Sequence, residues 1–333
     1  MSPIFAKDQA TGFSNRIEKV AIVGAGGTIG SYFTKYLLAT GKHQITALAR
    51  ENSKAHIPDV VHRIIIDYDD EYSLVEALKG QDLLVITLGV SAREEGGAVD
   101  TKLINAAAKA GVPYIMPNAY GPDPLNEGFV RTALTAPAAL IEKLGVSKWI
   151  ALSTGFWYEL SLASGSFGID VEEHTAKILD DGNTKITVST WDQCGRAFAA
   201  LLSLQRLRED ENDKAPVLED WANKVVYFSS FRVSQNDIFE SAKRVTGTSE
   251  SDWRIESIPS AVQYNDALEA VKKGDRSAFT RLLYARVLFP TGEGDHTRHG
   301  LANEALGLTE EDLDEATKAA LRYGKAAAQS YGR

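Results

Sequence analysis

The chain has 333 residues, enough for one large domain or two smaller ones, and 44% of them are hydrophobic, so a sizeable core can form. A formal net charge of −9 argues against a nucleic-acid or anionic-membrane surface, and no basic run or bilayer-spanning apolar stretch occurs. One cysteine, Cys194, excludes an internal disulfide; with an N-terminus that lacks a signal-peptide core, this points to a cytoplasmic setting.

Residues 1–17 read as an extension, either laid over the first domain or left as a disordered arm. Val20–Val23 is a short apolar run ending at Gly24, which predicts a buried strand. Gly24, Gly26, Gly27 and Gly30 follow. Thr28 opens a helix with Phe33, Leu37 and Leu38 on one face, and Thr40-Gly41 stops it. Ile45–Ala49 is a second strand, completing a βαβ unit in about thirty residues. Each glycine has a job in such a unit. Gly24 permits the tight turn, Gly26 and Gly27 clear the backbone for a pyrophosphate, and Gly30 lets helix and strand pack closely. The spacing, G-x-G-G-x-x-G, departs from plain G-x-G-x-x-G. Its position between strand and helix is what makes it a dinucleotide signal.

The end of the second strand reads the cofactor. NAD sites place Asp or Glu there for the ribose 2′-hydroxyl. This chain places Arg50, with Lys54 four residues on. A guanidinium can grip a 2′-phosphate in bidentate fashion, which favours NADP(H), although Glu51 stands beside it.

The alternation continues. Val61–Ile66, Leu83–Leu88, Val112–Met116 and Trp149–Leu152 read as strands. Tyr72–Leu78 and Lys102–Ala110 read as helices. Phe129–Leu144 reads as a helix kinked or split at Pro137. This pattern predicts an α/β fold, an open parallel sheet with helices on both faces. Beyond Ser153 the rhythm changes. Ile186–Ser189 and Val225–Phe228 read as short strands, Asp192–Leu202 as an amphipathic helix, and Gln205–Asp220 as a charged surface loop or helix extension. Ser234 begins a helix ending at Gly247, and Thr309-Glu310-Glu311-Asp312 caps the last one. The expected division is a dinucleotide domain over 18–155 and a smaller, mixed and mostly helical domain over 156–333, interleaved with the sheet through 184–230. The second domain shapes a cleft over the strand ends.

Three segments follow strands and reach that cleft: Thr87-Leu88-Gly89, Pro117–Gly121 and Ser153–Tyr158. Asn118 could bond a ribose or carboxamide. Tyr120 and Tyr158 either donate a proton to a developing alkoxide or wall the cleft through packing. His174 is an acid–base candidate or an exposed helix histidine. Asp295, His296 and His299 resemble a metal cluster only loosely and read as a structural loop, so no metal is expected. No tyrosine has a lysine four residues later, which disfavours the usual short-chain dehydrogenase chemistry.

The motifs GAGGTIG, ALAR, IIIDYDDEYSLVEALKGQDLLVITLG, LINAAAKAGVPYIMPNAYG and TVSTWDQCGRAFAALL together resemble the NmrA-like, isoflavone reductase-like atypical short-chain dehydrogenases/reductases, over roughly residues 18–250. The resemblance implies a Rossmann-type NADP(H) domain. Gly24, Gly27, Thr28, Ile29 and Gly30 would form its pyrophosphate loop, Arg50 would hold the 2′-phosphate, and Asp67 and Tyr68 would flank the adenine. Asn118 stands where the family commonly has serine. The reductase branch carries a lysine near the position of Leu134, which this chain lacks. Two readings follow. One is an NADPH-dependent oxidoreductase of a small aromatic or polycyclic substrate. The other is a non-catalytic NADP(H)-sensing regulator that contacts a protein partner. Neither requires nucleic acid or membrane.

Overall fold

The computed structural model describes residues 4–89, 98–126 and 134–331. The first half lays down β1 (Lys19–Val23), α1 (Thr28–Thr40), β2 (Gln44–Ala49), β3 (His62–Ile65), α2 (Glu71–Leu78), β4 (Leu83–Ile86), α3 (Ala98–Ala110), β5 (Tyr114–Met116), α4 (Thr135–Leu144) and β6 (Lys148–Ser153). All the strand pairings among these are parallel. Parallel strands buried on both faces need continuous apolar runs. β1 and β4 supply them, with Val20, Ile22, Leu83 and Val85 turned to one core and Ala21, Val23, Leu84 and Ile86 to the other.

The second half continues with β7 (Phe156–Trp157), α5 (Tyr158–Ala163), β8 (Ile169–Asp170), β9 (Thr175–Leu179), β10 (Ile186–Ser189), α6 (Trp191–Leu202), β11 (Lys224–Tyr227), β12 (Phe231–Val233), α7 (Gln235–Thr246), β13 (Arg254–Ile258), α8 (Ser260–Lys272), α9 (Ala278–Val287), α10 (Leu313–Tyr323) and α11 (Lys325–Gln329). β11 returns to the first half as the seventh strand, parallel to β6, giving the order β11-β6-β5-β4-β1-β2-β3. The order reverses between β1 and β4, and ligands of open α/β sheets bind at such a switch point. The two short strands expected after Ser153 therefore part company. β11 joins the central sheet, whereas β10 pairs with β7 and β12 in a separate three-stranded sheet.

α1 and α6 cover one face of the central sheet, with Phe33 stacked on Phe198 at 4.2 Å between ring centroids. α2, α3 and α4 cover the other through Leu74, Leu103 and Ile141. A second core, built from Phe156, Tyr158, Phe167, Ile186 and Phe239, fills the C-terminal half. Within the described residues, Pro137 falls at the start of α4. α4 starts at Thr135, so Pro137 lies in its first turn, where an amide donor has no intrahelical partner to lose. The expected start of that helix, 129–133, lies outside the described residues. The last long helix is capped by Asp312, which accepts from Glu315 N–H, while the Thr309 carbonyl accepts from Gln193 Nε2 at 3.0 Å. The N-terminal extension is strapped along the 205–211 loop: Ala6 N–H donates to Arg208 O, and Asn15 exchanges hydrogen bonds with Leu207. No helix among the described residues is long and apolar enough to cross a membrane.

Candidate dinucleotide and substrate site

The site begins where β1 ends. Gly24 adopts φ +84°, and a Cβ there would strike Thr87, 2.7 Å from its Oγ1. Thr87 itself clasps the two strand ends, its N–H and Oγ both donating to Val23 O at 2.9 and 2.7 Å. At Gly30 a Cβ would collide with the Gly24 carbonyl and lie 2.8 Å from Thr87 Oγ1. The helix can start this close to the strand only with glycine at both places. Gly26 carries a constraint beyond the pyrophosphate role expected of it. A side chain there would meet His56 O at 2.5 Å and Ala55 Cβ at 2.8 Å, because the β2–β3 segment crosses the loop.

The start of α1 is open to an anion, and what sets it apart from the likewise uncapped and acid-free starts of α4, α8 and α9 is the glycine loop at the strand end. The α1 N-cap is Gly27, no side chain caps it, and its first turn holds no acidic residue. Four other helices supply both groups themselves: Asp70 with Glu71, Thr190 with Asp192, Ser234 with Asp237, and Asp312 with Asp314. Unpaired N–H groups and the positive dipole end at Thr28, Ile29 and Gly30 fit a phosphate. Ile29 turns its side chain into the core, so the backbone is what the loop presents.

Arg50 follows β2 and is exposed, as is Lys54 four residues on. Arg50 lies close enough to Tyr68 to favour its phenolate, although burial dominates and pushes that phenol up. Asp67 is exposed and turns one oxygen back to Asp69 N at 2.9 Å. Arg50, Asp67 and Tyr68 therefore gather beyond β2 and β3. At the other side of the switch point, Asn118 Nδ2 donates to Leu88 O at 2.7 Å, tying the ends of β4 and β5. Gly89 is exposed at the limit of the described residues.

The proton-donor candidates separate. Tyr120 packs edge-on against Phe33 of α1, 5.1 Å between centroids, on the glycine-loop side. Tyr158 does not face a cleft. It is fully buried in the second core, its hydroxyl 2.7 Å from Thr317 Oγ1, and burial holds the phenol far above its ordinary range. β-strand alternation explains this. Phe156 and Tyr158 turn to the second core, while Trp157 turns to the first. His174 is not on a helix. It occupies the β8–β9 hairpin turn at φ +48°, stacked 5.1 Å from Trp253.

Asp123 and Glu159 carry no signal in the sequence, whereas Asp295, His296 and His299 fall in the loop that reads as structural. Asp123 follows β5 and accepts from the Tyr227 hydroxyl at 2.9 Å, and its N–H donates to His296 Nε2 at 3.2 Å. His296 Nδ1 lies 3.4 Å from Ser153 Oγ, so the ring clamps the 290–300 loop onto β5 and β6. Burial pulls His296 down to about 4, against the pull of Asp123. Asp295 pairs with Arg232 at 2.7 Å. Glu159, one residue past Tyr158, is also buried. It accepts from Trp191 N through both oxygens at 3.2 Å, and it lay hidden beside the more conspicuous aromatic run.

Residues 24–159 match the NAD(P)H-binding family model. Over 315 residues the chain is 27% identical to an oxidoreductase of Aspergillus flavus, aprR, covering 91% of this chain and 99% of that one. Its structure superposes on those of pinoresinol-lariciresinol and phenylcoumaran benzylic ether reductases with a TM-score of 0.68 at 19% identity, covering 90% of this chain and 98% of the other. It superposes equally well on the Escherichia coli NADPH-dependent quinone oxidoreductase QOR2 bound to NADPH, with a TM-score of 0.67 at 22% identity and the same coverage. The chain thus carries an NAD(P)H-binding domain on a Rossmann-type sheet. Its whole fold is the one shared by these solved reductase structures.

Proposed function

We propose that this protein is an NADPH-dependent reductase of a small aromatic or polycyclic molecule. The observation that carries the reading is the uncapped, acid-free N-terminus of α1 at a glycine loop, with Arg50 at the end of the neighbouring strand. When bound, NADPH supplies a hydride. In this reading the residues of the chain bind and orient it. The α1 backbone from Gly27 to Gly30 faces the pyrophosphate, with Gly24 making the turn that leads to it. Arg50 and Lys54 neutralise the 2′-phosphate, Asp67 and Tyr68 flank the adenine, and Thr87–Gly89 with Asn118 frame the nicotinamide ribose. Tyr120 belongs to the cleft wall. The reductase identity of these structural neighbours supports an enzyme, and none of the relatives named above speaks for the alternative of a regulator that docks a partner protein.

Calorimetric titration of cofactor-free protein with NADPH, NADP⁺, NADH and NAD⁺, repeated on Arg50→Ala, tests the cofactor half. A charge-assisted contact is worth about 1.5–3 kcal/mol. NADPH affinity should therefore fall roughly ten- to a hundredfold in the variant while NADH binding holds. Equal losses for both cofactors would remove Arg50 from the 2′-phosphate. NADPH oxidation across ketones, enones and quinones tests the catalytic half, and firm NADPH binding without turnover of any of them would refute it.

A further inference from the structure

We propose that Glu159, with the indole N–H groups of Trp157 and Trp191, forms a carbonyl-binding pocket, and that Glu159 is the group that protonates the substrate oxygen. This rests on the reductase reading above and specifies its substrate as an aromatic carbonyl compound, an enone or quinone.

The geometry is local and consistent. Trp157 and Ser189 face each other in the β7–β10 register, and Trp191 follows two residues later at the start of α6. The two indoles lie 6.4 Å apart. Trp157 Nε1, Trp191 Nε1 and Ser189 Oγ are all buried and have no hydrogen-bond partner. Buried donors are almost always satisfied, so three orphans in one place call for an acceptor that the chain does not supply. Trp191 is 4% exposed and Glu159 6%. Tyr32 stacks on Trp191 at 5.7 Å and Tyr323 meets it edge-on at 4.9 Å, giving the aromatic walls that a flat ring would use. Tyr32 lies one turn along α1 from Thr28, so the pocket adjoins the glycine loop.

The chemistry that fits is a carbonyl oxygen accepting from indole N–H and carboxyl O–H. Glu159 must be protonated to donate, and its surroundings favour that. Burial, reinforced by the Glu311 and Asp192 carboxylates, pushes it up to about 7 against the Trp191 N–H. The cations nearby are committed elsewhere. Arg196 pairs with Glu311, Lys35 with Asp192, and Lys325 of α11, which packs against α5, with Asp170. The other titratable groups facing Glu159, namely Tyr32, Cys194 and Tyr158, are neutral at pH 7, each pushed up by burial. In the reaction the substrate carbon gains a hydride with its two electrons from the reduced nicotinamide. The Glu159 O–H bond breaks as the product O–H forms, and the carboxylate regains a proton from water. An acid with a pKa near the working pH suits that role.

The test has two arms. In NADPH-free protein, quenching of tryptophan fluorescence by 4-phenyl-3-buten-2-one reads the pocket directly. Affinity should fall about tenfold between pH 6 and pH 8.5, be independent of pH in Glu159→Gln, and weaken in Trp157→Phe. With NADPH, wild-type turnover of the same enone should decline as pH rises through about 7. Glu159→Gln should lose on the order of a hundredfold in kcat and lose the pH step while still binding NADPH. Should Glu159→Gln fail to fold, the wild-type pH profile and Trp157→Phe decide. Binding that ignores both pH and Trp157, or a variant that keeps the wild-type pH profile, overturns the assignment of Glu159 and leaves the reductase reading standing. NADPH binding without turnover overturns both, and failure to bind NADPH overturns the reading of the cofactor site itself.

Discussion

Glu159 and His296 are buried groups kept neutral by their surroundings, and they act on stability in opposite directions. The folded value of Glu159, about 7, lies above its ordinary 4.5. Its contribution is therefore full below 4.5 and is lost as pH rises through 7. His296 lies at about 4, below its ordinary 6.5, so its contribution is full above 6.5 and is lost as pH falls through 4. Each displacement corresponds to on the order of 3 kcal/mol across its window. Between about 4.5 and 6.5 the two slopes offset one another. Urea unfolding of single variants at several pH values should separate them. Glu159→Gln should gain on the wild type as pH rises from 5 to 8, and His296→Gln should gain on it as pH falls from 7 to 4.5. Parallel trends in both variants would show that at least one group is charged in the fold. Glu159 carries no signal in the sequence, and His296 is legible there only as part of a structural loop. Tyr158 drew attention because phenols donate protons, but alternation along β7 and into α5 sends that ring to the second core. His296 lay in a loop whose burial depends on β5, β6 and β11, more than sixty residues upstream.

The βαβ elements were readable because their signals are local. Apolar runs end at glycine, helical faces repeat, and Gly41 and Gly145 close α1 and α4 in the left-handed conformation. The partners of the later strands were not readable. Ile186–Ser189 and Lys224–Tyr227 are four-residue segments with nothing in their sequence to say which sheet takes them, and only the chain's path between them decides. The glycine loop shows how narrow the tolerance of an element can be. At Gly41 an added Cβ meets nothing within 4 Å, so Gly41→Ala should cost only the left-handed strain, about 1–2 kcal/mol. At Gly30 it collides with the Gly24 carbonyl and Thr87, and neither backbone can retreat without parting β1 from β4. Gly30→Ala should therefore cost several kcal/mol and abolish NADPH binding in whatever folded fraction survives. Denaturant unfolding of the two variants side by side is the check. Equal losses would mean that the close approach of α1 to β1 carries no special constraint.

At the scale of the whole molecule, the dinucleotide half does not end where its motifs end. The face of the sheet bearing Val20, Ile22 and Leu83 is covered by α1 together with α6, whose Trp191, Phe198, Leu201 and Leu202 are almost wholly buried against it. The edge of β6 is closed by β11 through four parallel register pairs, Lys224↔Ile150 to Tyr227↔Ser153. Both covering elements come from the C-terminal half. The family match over 24–159 therefore marks a motif-bearing segment whose core is completed some thirty to seventy residues later. A fragment cut after Gly155 would expose that apolar face and an unpaired strand edge, a combination that favours aggregation over folding. It should show no cooperative thermal transition and no NADPH binding when expressed alone. Co-expression with residues 156–333 should restore both, because β11 and α6 would again be available to dock. A fragment that unfolds in a single sharp transition and binds NADPH without its partner would place the folding boundary near residue 155 and reduce β11 and α6 to accessories.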